Sequence, residues 1–263
     1  MNPALPCFVP FQLRTADLNS NIMSIQINLS LPLSVDDFLM KQNQGLLHDF
    51  SKSDGCLVAV SPGKLKDRQR FSGWTVEELP PCLPSSACIV RKRGNFEPEC
   101  WVRWDYRGYR KAFAAYLEIC HPEFNSILSM NVHVDHLEPR FRFSAGDVYF
   151  VRLHLVMKNI NMAYGAGFEK NFYRTERATP IHGAIHMSWL GFCKASGILP
   201  PGKNAGTVAW DAWARKHARE FAQQSGESEQ LAYSGLLDVL RLGYTGYYSG
   251  AASPHRPEPV RLG

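Results

Sequence analysis

The run Val134-Asp135-His136-Leu137-Glu138-Pro139-Arg140 sets a carboxylate beside an imidazole, and two carboxamides, Asn159 and Asn161, follow further along the chain. These residue types suit the hydrolysis of a phosphodiester. That reaction needs a water deprotonated, the non-bridging oxygens neutralised and the leaving oxygen stabilised. A neutral histidine titrates near physiological pH and can take the proton. A hard cation such as Mg²⁺ can bind the scissile phosphate, and it prefers oxygen ligands. Asp135 offers a charged oxygen; Asn161, or equally Asn159, offers a neutral one. Adjacent residues of a strand point to opposite faces. Asp135 and His136 therefore meet at one phosphate only if the backbone bends between them, and Pro139 and the end of the strand are where such a bend is expected. Arg140, Arg142, Arg152 and Lys170 are candidate phosphate contacts.

The elements that must position these groups can be read from the pattern around them. Residues 127–137 read as a strand running into the Asp-His pair, and residues 148–157 as a second strand with partial alternation. Asn159 to Gly167 reads as a polar, small-residue loop, with a helix resuming near there and continuing through Phe172. The order is strand with Asp-His, strand, asparagine, helix. It resembles the HNH (ββα-metal) nuclease superfamily, most closely its Asp-His…Asn variant, similar to endonuclease VII-like enzymes. The resemblance covers roughly residues 127–172. It implies that His136 is the general base and that Asp135 and Asn161 (Asn159 as the near-equal alternative) hold a divalent metal, Mg²⁺ with Mn²⁺ or Zn²⁺ as alternatives. Glu169 falls close to where many members place their last ligand. DNA is the implied substrate, RNA the alternative. The zinc-knuckle cysteines, the last histidine of the usual triplet and a glycine pair after the first motif are absent. By analogy with compact family members, the chain is read as a toxin or effector nuclease with a cognate immunity or inhibitor protein that is acidic where it meets a basic cleft.

The rest of the chain reads as a scaffold. Ile25-Gln26-Ile27-Asn28-Leu29 alternates as a strand does, and Ser34 before Val35-Asp36-Asp37 is a helix-start signal for a helix over about 35–47. Residues 50–100 are rich in Gly, Pro, Ser and Cys, with short strands expected at 57–60, 87–90 and 101–104. Tyr109, Phe113, Tyr116, Leu117 and Cys120 recur at helical spacing and predict a helix over about 105–120. Further helices are expected at 181–195, 207–223 and 228–242. The fold class is α+β: a ββα-metal core embedded in a mostly helical C-terminal half, preceded by a small loop-rich β region. The expected division is an accessory region over 1–100, a nuclease domain over 101–250 and a flexible tail over 251–263.

Other signals are weaker. His182 and His186 stand at i and i+4, so on one helix they could ligate zinc, but Gly183 does not supply the glutamate a zinc protease needs at its base position. A zinc hydrolase using His182 and His186 remains one alternative, and a non-catalytic nucleic-acid or protein binding module another. His133 and His154 fall within predicted strands and read as packing residues. Gly165-Ala166-Gly167 lacks the Lys-Ser/Thr of a phosphate-binding loop and reads as a turn. The 263 residues carry a net charge of +5, compatible with a polyanionic partner but not diagnostic of one. Seven cysteines, an odd number without a CxxC pair, argue against a disulfide framework and against a four-cysteine zinc site. No secretion signal and no apolar stretch of membrane-spanning length is apparent. The expectation is a cytoplasmic chain without membrane partners, or one exported without a cleaved signal.

Overall fold

One nearly fully buried strand, β6 (Phe150–Met157), organises the sheet. It belongs to a computed structural model that describes residues 34–52, 56–93, 96–124, 128, 130–173 and 180–246. These lie in one unit, Pro32–Gly263. The strand expected at 25–29 and the tail expected at 251–263 lie outside the described residues. The first residues of β6 pair with β4 (Glu99–Arg103) on one side and β1 (Leu57–Val60) on the other, so that Val151 faces both Val102 and Ala59. From Leu153 onward β6 pairs instead with β5 (Val132–His136). The sheet runs β2 (Thr75–Glu78), β3 (Ala87–Arg91), β4, β6, β1, β7 (Ala184–His186), with β5 on β6, and every pairing is antiparallel.

Helices cover this sheet, and the fold is α+β. Helix α1 (Val35–Ser51) begins with a reciprocal cap, the Ser34 hydroxyl accepting from the Asp37 amide while the Asp37 carboxylate accepts from the Ser34 amide. After β1 comes α2 (Pro62–Phe71), in a region whose composition predicts only strands and loops; Ser61 caps it and Pro62 takes its first position. Helix α3 (Tyr109–Cys120) packs Phe113, Tyr116 and Leu117 with Val132, Val134, Leu153 and Leu155. A second core gathers Val151, Val156, Ile160, Phe168, Trp189, Phe192 and Leu236. It is built by α4 (Lys158–Ala163), α5 (Ala166–Tyr173), α6 (Trp189–Ala195), α7 (Gly206–Ser225) and α8 (Glu229–Thr245). Among the described residues no helix is long and apolar enough to cross a membrane.

Three expectations are corrected. β4 straddles residue 100, and β1 lies between β6 and β7, so both sides of the boundary expected at 100/101 share one sheet. Residues 181–195 do not form one helix. His182 and Gly183 both take positive φ, 49° and 74°, which turns the chain into β7, and Ser188 then caps the separate α6. Asn159 and Asn161 lie inside α4, which follows β6 directly, and not in a loop before a helix. Helix α8 also passes very close to its neighbours. A Cβ at Gly235 would collide with the Trp189 indole, and one at Gly243 with the Phe168 ring; only glycine permits that approach.

Candidate functional site

The strand β5 sorts the predicted residues onto two faces. Val132, Val134 and His136 are buried, while His133 and Asp135 are half-buried. No bend intervenes at the Asp-His pair: His136 stays in register with Leu153, and the Leu137 amide still donates to the Arg152 carbonyl at 3.0 Å. The period-2 alternation therefore holds, and Asp135 and His136 diverge. The His136 ring lies 4.6 Å from the Tyr109 ring of α3, and its Nε2 is buried without a hydrogen-bond partner. Burial lowers its pKa to about 4; Asp135 resists this, while Arg140 and Lys194 add to it. His136 is thus neutral at physiological pH and does not share a face with Asp135, so the predicted base and ligand do not meet as the sequence pattern requires.

On the other face a cluster forms. Lys194 of α6 extends its Nζ between two carboxylates, 2.6 Å from Asp135 of β5 and 2.5 Å from Glu169 of α5. The side chains are 10%, 23% and 16% exposed respectively, so the cluster is shielded but open to solvent. Burial disfavours the Lys194 ammonium, but the two carboxylates override it and hold the pKa above the ordinary lysine value. Burial raises the pKa of Glu169 despite Lys194, and Asp135 raises it further. Two acids share one cation, which leaves one negative charge in excess. Two residues before Asp135 on the same face, roughly 7 Å along the strand, His133 places Nδ1 2.8 Å from the Asn161 carboxamide. His133, Asp135, Asn161, Glu169 and Lys194 thus come from β5, α4, α5 and α6 onto one side of the sheet.

The remaining candidates disperse. Asn159 is exposed on α4, and Lys170 is exposed on α5. Arg140 is half-buried, with its Nε lacking a hydrogen-bond partner. Arg142 is not placed to hold a phosphate: it is buried, pairs with Glu138 and lies 4.4 Å over the Tyr173 ring. Burial raises the Glu138 pKa to about 7 in spite of Arg142, with Glu169 adding to the rise. Arg152 is likewise internal, held by Glu99 at 2.9 Å and Asp49 at 3.3 Å. His182 and His186 are both exposed, one in a turn and one at the end of β7, and the helix face that would pair them does not exist. Among the described residues, no three His, Cys, Asp or Glu side chains gather closely enough to hold a metal ion.

Sequence reasoning missed Lys194 and read His133 as packing. Both left a signal. Lys194 sits in the otherwise apolar run Trp189-Leu190-Gly191-Phe192-Cys193, and a lysine in a buried segment requires carboxylate partners. His133 is the histidine at even spacing from Asp135, the spacing that puts two strand residues on one face.

No protein-family model matches the chain, and neither does a curated protein or a solved structure.

Proposed function

We propose that the chain is a metal-dependent nuclease whose centre is the Asp135–Glu169–Lys194 cluster with His133 and Asn161 beside it. One observation carries this reading: two carboxylates from separate elements converge, within 2.6 Å, on a single cation point. The Asp-His, strand, asparagine order of the sequence supports the same reaction class. The donor set fits a hard divalent ion, since Mg²⁺ in nucleotide sites is characteristically held by one or two carboxylates, with water and substrate phosphate completing its shell. Asp135 and Glu169 would hold it. Bound there, such an ion supplies charge stabilisation at the scissile phosphate.

The chain's own residues do the rest. Lys194 offsets half the charge of the acid pair, and its three N–H donors are suited to a phosphate oxygen. His133 replaces His136 as general base. The Asn161 amide nitrogen stands 2.8 Å from Nδ1 and orients the ring; turning the carboxamide over presents its oxygen to Nδ1–H instead and leaves Nε2 with a free lone pair. Asn161 is then a positioning residue, not a metal ligand. His136, neutral and packed at a tilt against Tyr109, supports the strand that carries Asp135.

The test is cleavage of plasmid and of single-stranded DNA with Mg²⁺ or Mn²⁺, with a chelator control. Asp135→Asn, Glu169→Gln and His133→Ala should each lose at least about 100-fold, the size of a lost general base or metal ligand. His136→Ala should keep most of its activity. Equal cleavage by wild type and Asp135→Asn, or cleavage indifferent to chelator, would end the proposal. Loss in His136→Ala with retention in His133→Ala would return the base to the position expected from sequence.

A further inference from the structure

Helix α2 is poorly explained by packing. Leu65 is its one buried residue, and the helix carries Lys64, Lys66, Arg68 and Arg70 against Asp67 alone. No acid stands in its first turn to complement the amino-terminal end of the dipole. Lys64 and Arg68, and again Lys66 and Arg70, are like charges one turn apart, a spacing that destabilises a helix. Aromatic rings interleave with these cations. Phe71 is 74% exposed, with the Arg70 guanidinium 5.1 Å from its ring centre. Trp74 follows, with Arg68 at 5.4 Å and Lys92 at 5.3 Å from its ring.

We infer that this surface docks a single-stranded nucleic acid, with phosphates on Lys66 and Arg70 and an unstacked base on Phe71. The class of partner rests on the nuclease reading above; the location rests on α2 itself. Four cations on a ten-residue helix match a polyanion, and repulsion among them is relieved when phosphates arrive. An exposed ring flanked by arginine suits a base whose π-face is free, a condition met by single strands and not by a duplex. The placement is consistent with delivery to the cluster. Val60, which leads into α2, pairs with Phe150, and four residues further along β6 His154 pairs with Asp135. That separation is about 13 Å along the strand, within the span of a few nucleotides.

The measurement is fluorescence anisotropy of a labelled oligothymidylate of about twenty nucleotides, in chelator so that nothing is cut. Lys66→Glu/Arg70→Glu should weaken binding more than about tenfold and flatten the salt dependence, as expected when two phosphate contacts are lost. Phe71→Ala should weaken it about tenfold with little change in the salt slope. Circular dichroism checks that the folds match. Wild-type affinity in both variants overturns the inference, as does no binding by wild type. Tighter binding of a duplex, or displacement by polyglutamate as readily as by oligonucleotide, also overturns it. Binding is read in chelator and cleavage with Mg²⁺, so a failure of the hydrolytic centre and a failure of α2 are read separately.

Discussion

Two clusters of opposed charge occupy this protein, and they differ in balance and in access. In the first, Asp49, Lys92, Glu99 and Arg152 form a closed ring: Lys92 pairs with Asp49 and, at 2.6 Å, with Glu99, and Arg152 reaches both acids. Two cations meet two anions, and no side chain is more than 14% exposed. In the second, Lys194 alone serves Asp135 and Glu169. The glutamates show the consequence. Burial pushes Glu99 up, but Arg152 and Lys92 outweigh it and hold the carboxyl below its usual range. Burial pushes Glu169 up, and one shared lysine does not reverse it. A balanced ring, buried at Glu99 and Arg152, fastens α1, β4 and β6 together; an acid-rich cluster has room for a further positive charge.

The harshest way to break the contrast is Arg152→Met. It strands two buried carboxylates on one lysine, and unfolding by urea should show a loss of about 3–5 kcal/mol, the cost of removing one partner from a buried pair. Added Mg²⁺ should recover little of it, because Glu99 is only 3% exposed. Lys194→Met should cost less, about 2 kcal/mol, since water reaches the cluster and screens it. Here millimolar Mg²⁺ should raise the melting temperature of the variant more than that of wild type, as ligand linkage requires. An identical Mg²⁺ response in both variants would erase the distinction between the clusters.

The smallest effect is in pH. His154 lies in the interior beside Arg152, and burial lowers its pKa to about 3, with Arg152 contributing. The unfolded chain binds this proton below about pH 6.5 and the folded chain does not, so stability falls as pH drops from 6.5 towards 3. The slope from this one group is about 1.4 kcal/mol per pH unit. Glu138 acts in the opposite sense: its pKa is raised to about 7, so it adds stability below the unfolded carboxyl value and loses it as pH rises through 7. Between pH 6.5 and 5.5 the unfolding free energy of His154→Gln should therefore change by about 1 kcal/mol more favourably than that of wild type, with Glu138 contributing equally to both. Parallel slopes in the two proteins would mean that His154 charges in the folded state.

Elements with strong periodicity were legible in the sequence. The apolar stripe of Tyr109, Phe113, Tyr116 and Leu117 locates α3, the helix expected at 207–223 lies within α7, and that expected at 228–242 matches α8 except that Ser228 is its cap. The α+β class follows from the same pattern. Helix α2 escaped because a single leucine among ten residues gives no stripe; only Ser61-Pro62 marked its start. Residues 181–195 misled for the opposite reason. Their apolar residues are buried in both β7 and α6, and a run buried all round has no period to distinguish strand from helix. At the candidate site, Asp135 and Glu169 were both named from the sequence, but their meeting around Lys194 depends on how α5 and α6 pack, which spacing along the chain does not encode. Arg142 and Arg152 illustrate the converse: an arginine that looks free in a sequence can be taken up by a buried acid.

The two glycines of α8 bear on that meeting. Phe168, which lies over Gly243, directly precedes Glu169, and Trp189, which lies over Gly235, opens the helix that ends just beyond Lys194. The helices that carry the carboxylate and the ammonium are thus each seated on α8 at a glycine, the two seats eight residues apart. A methyl group added at either contact would shim one helix away from the other, altering the gap between carboxylate and ammonium from behind without touching a charged atom.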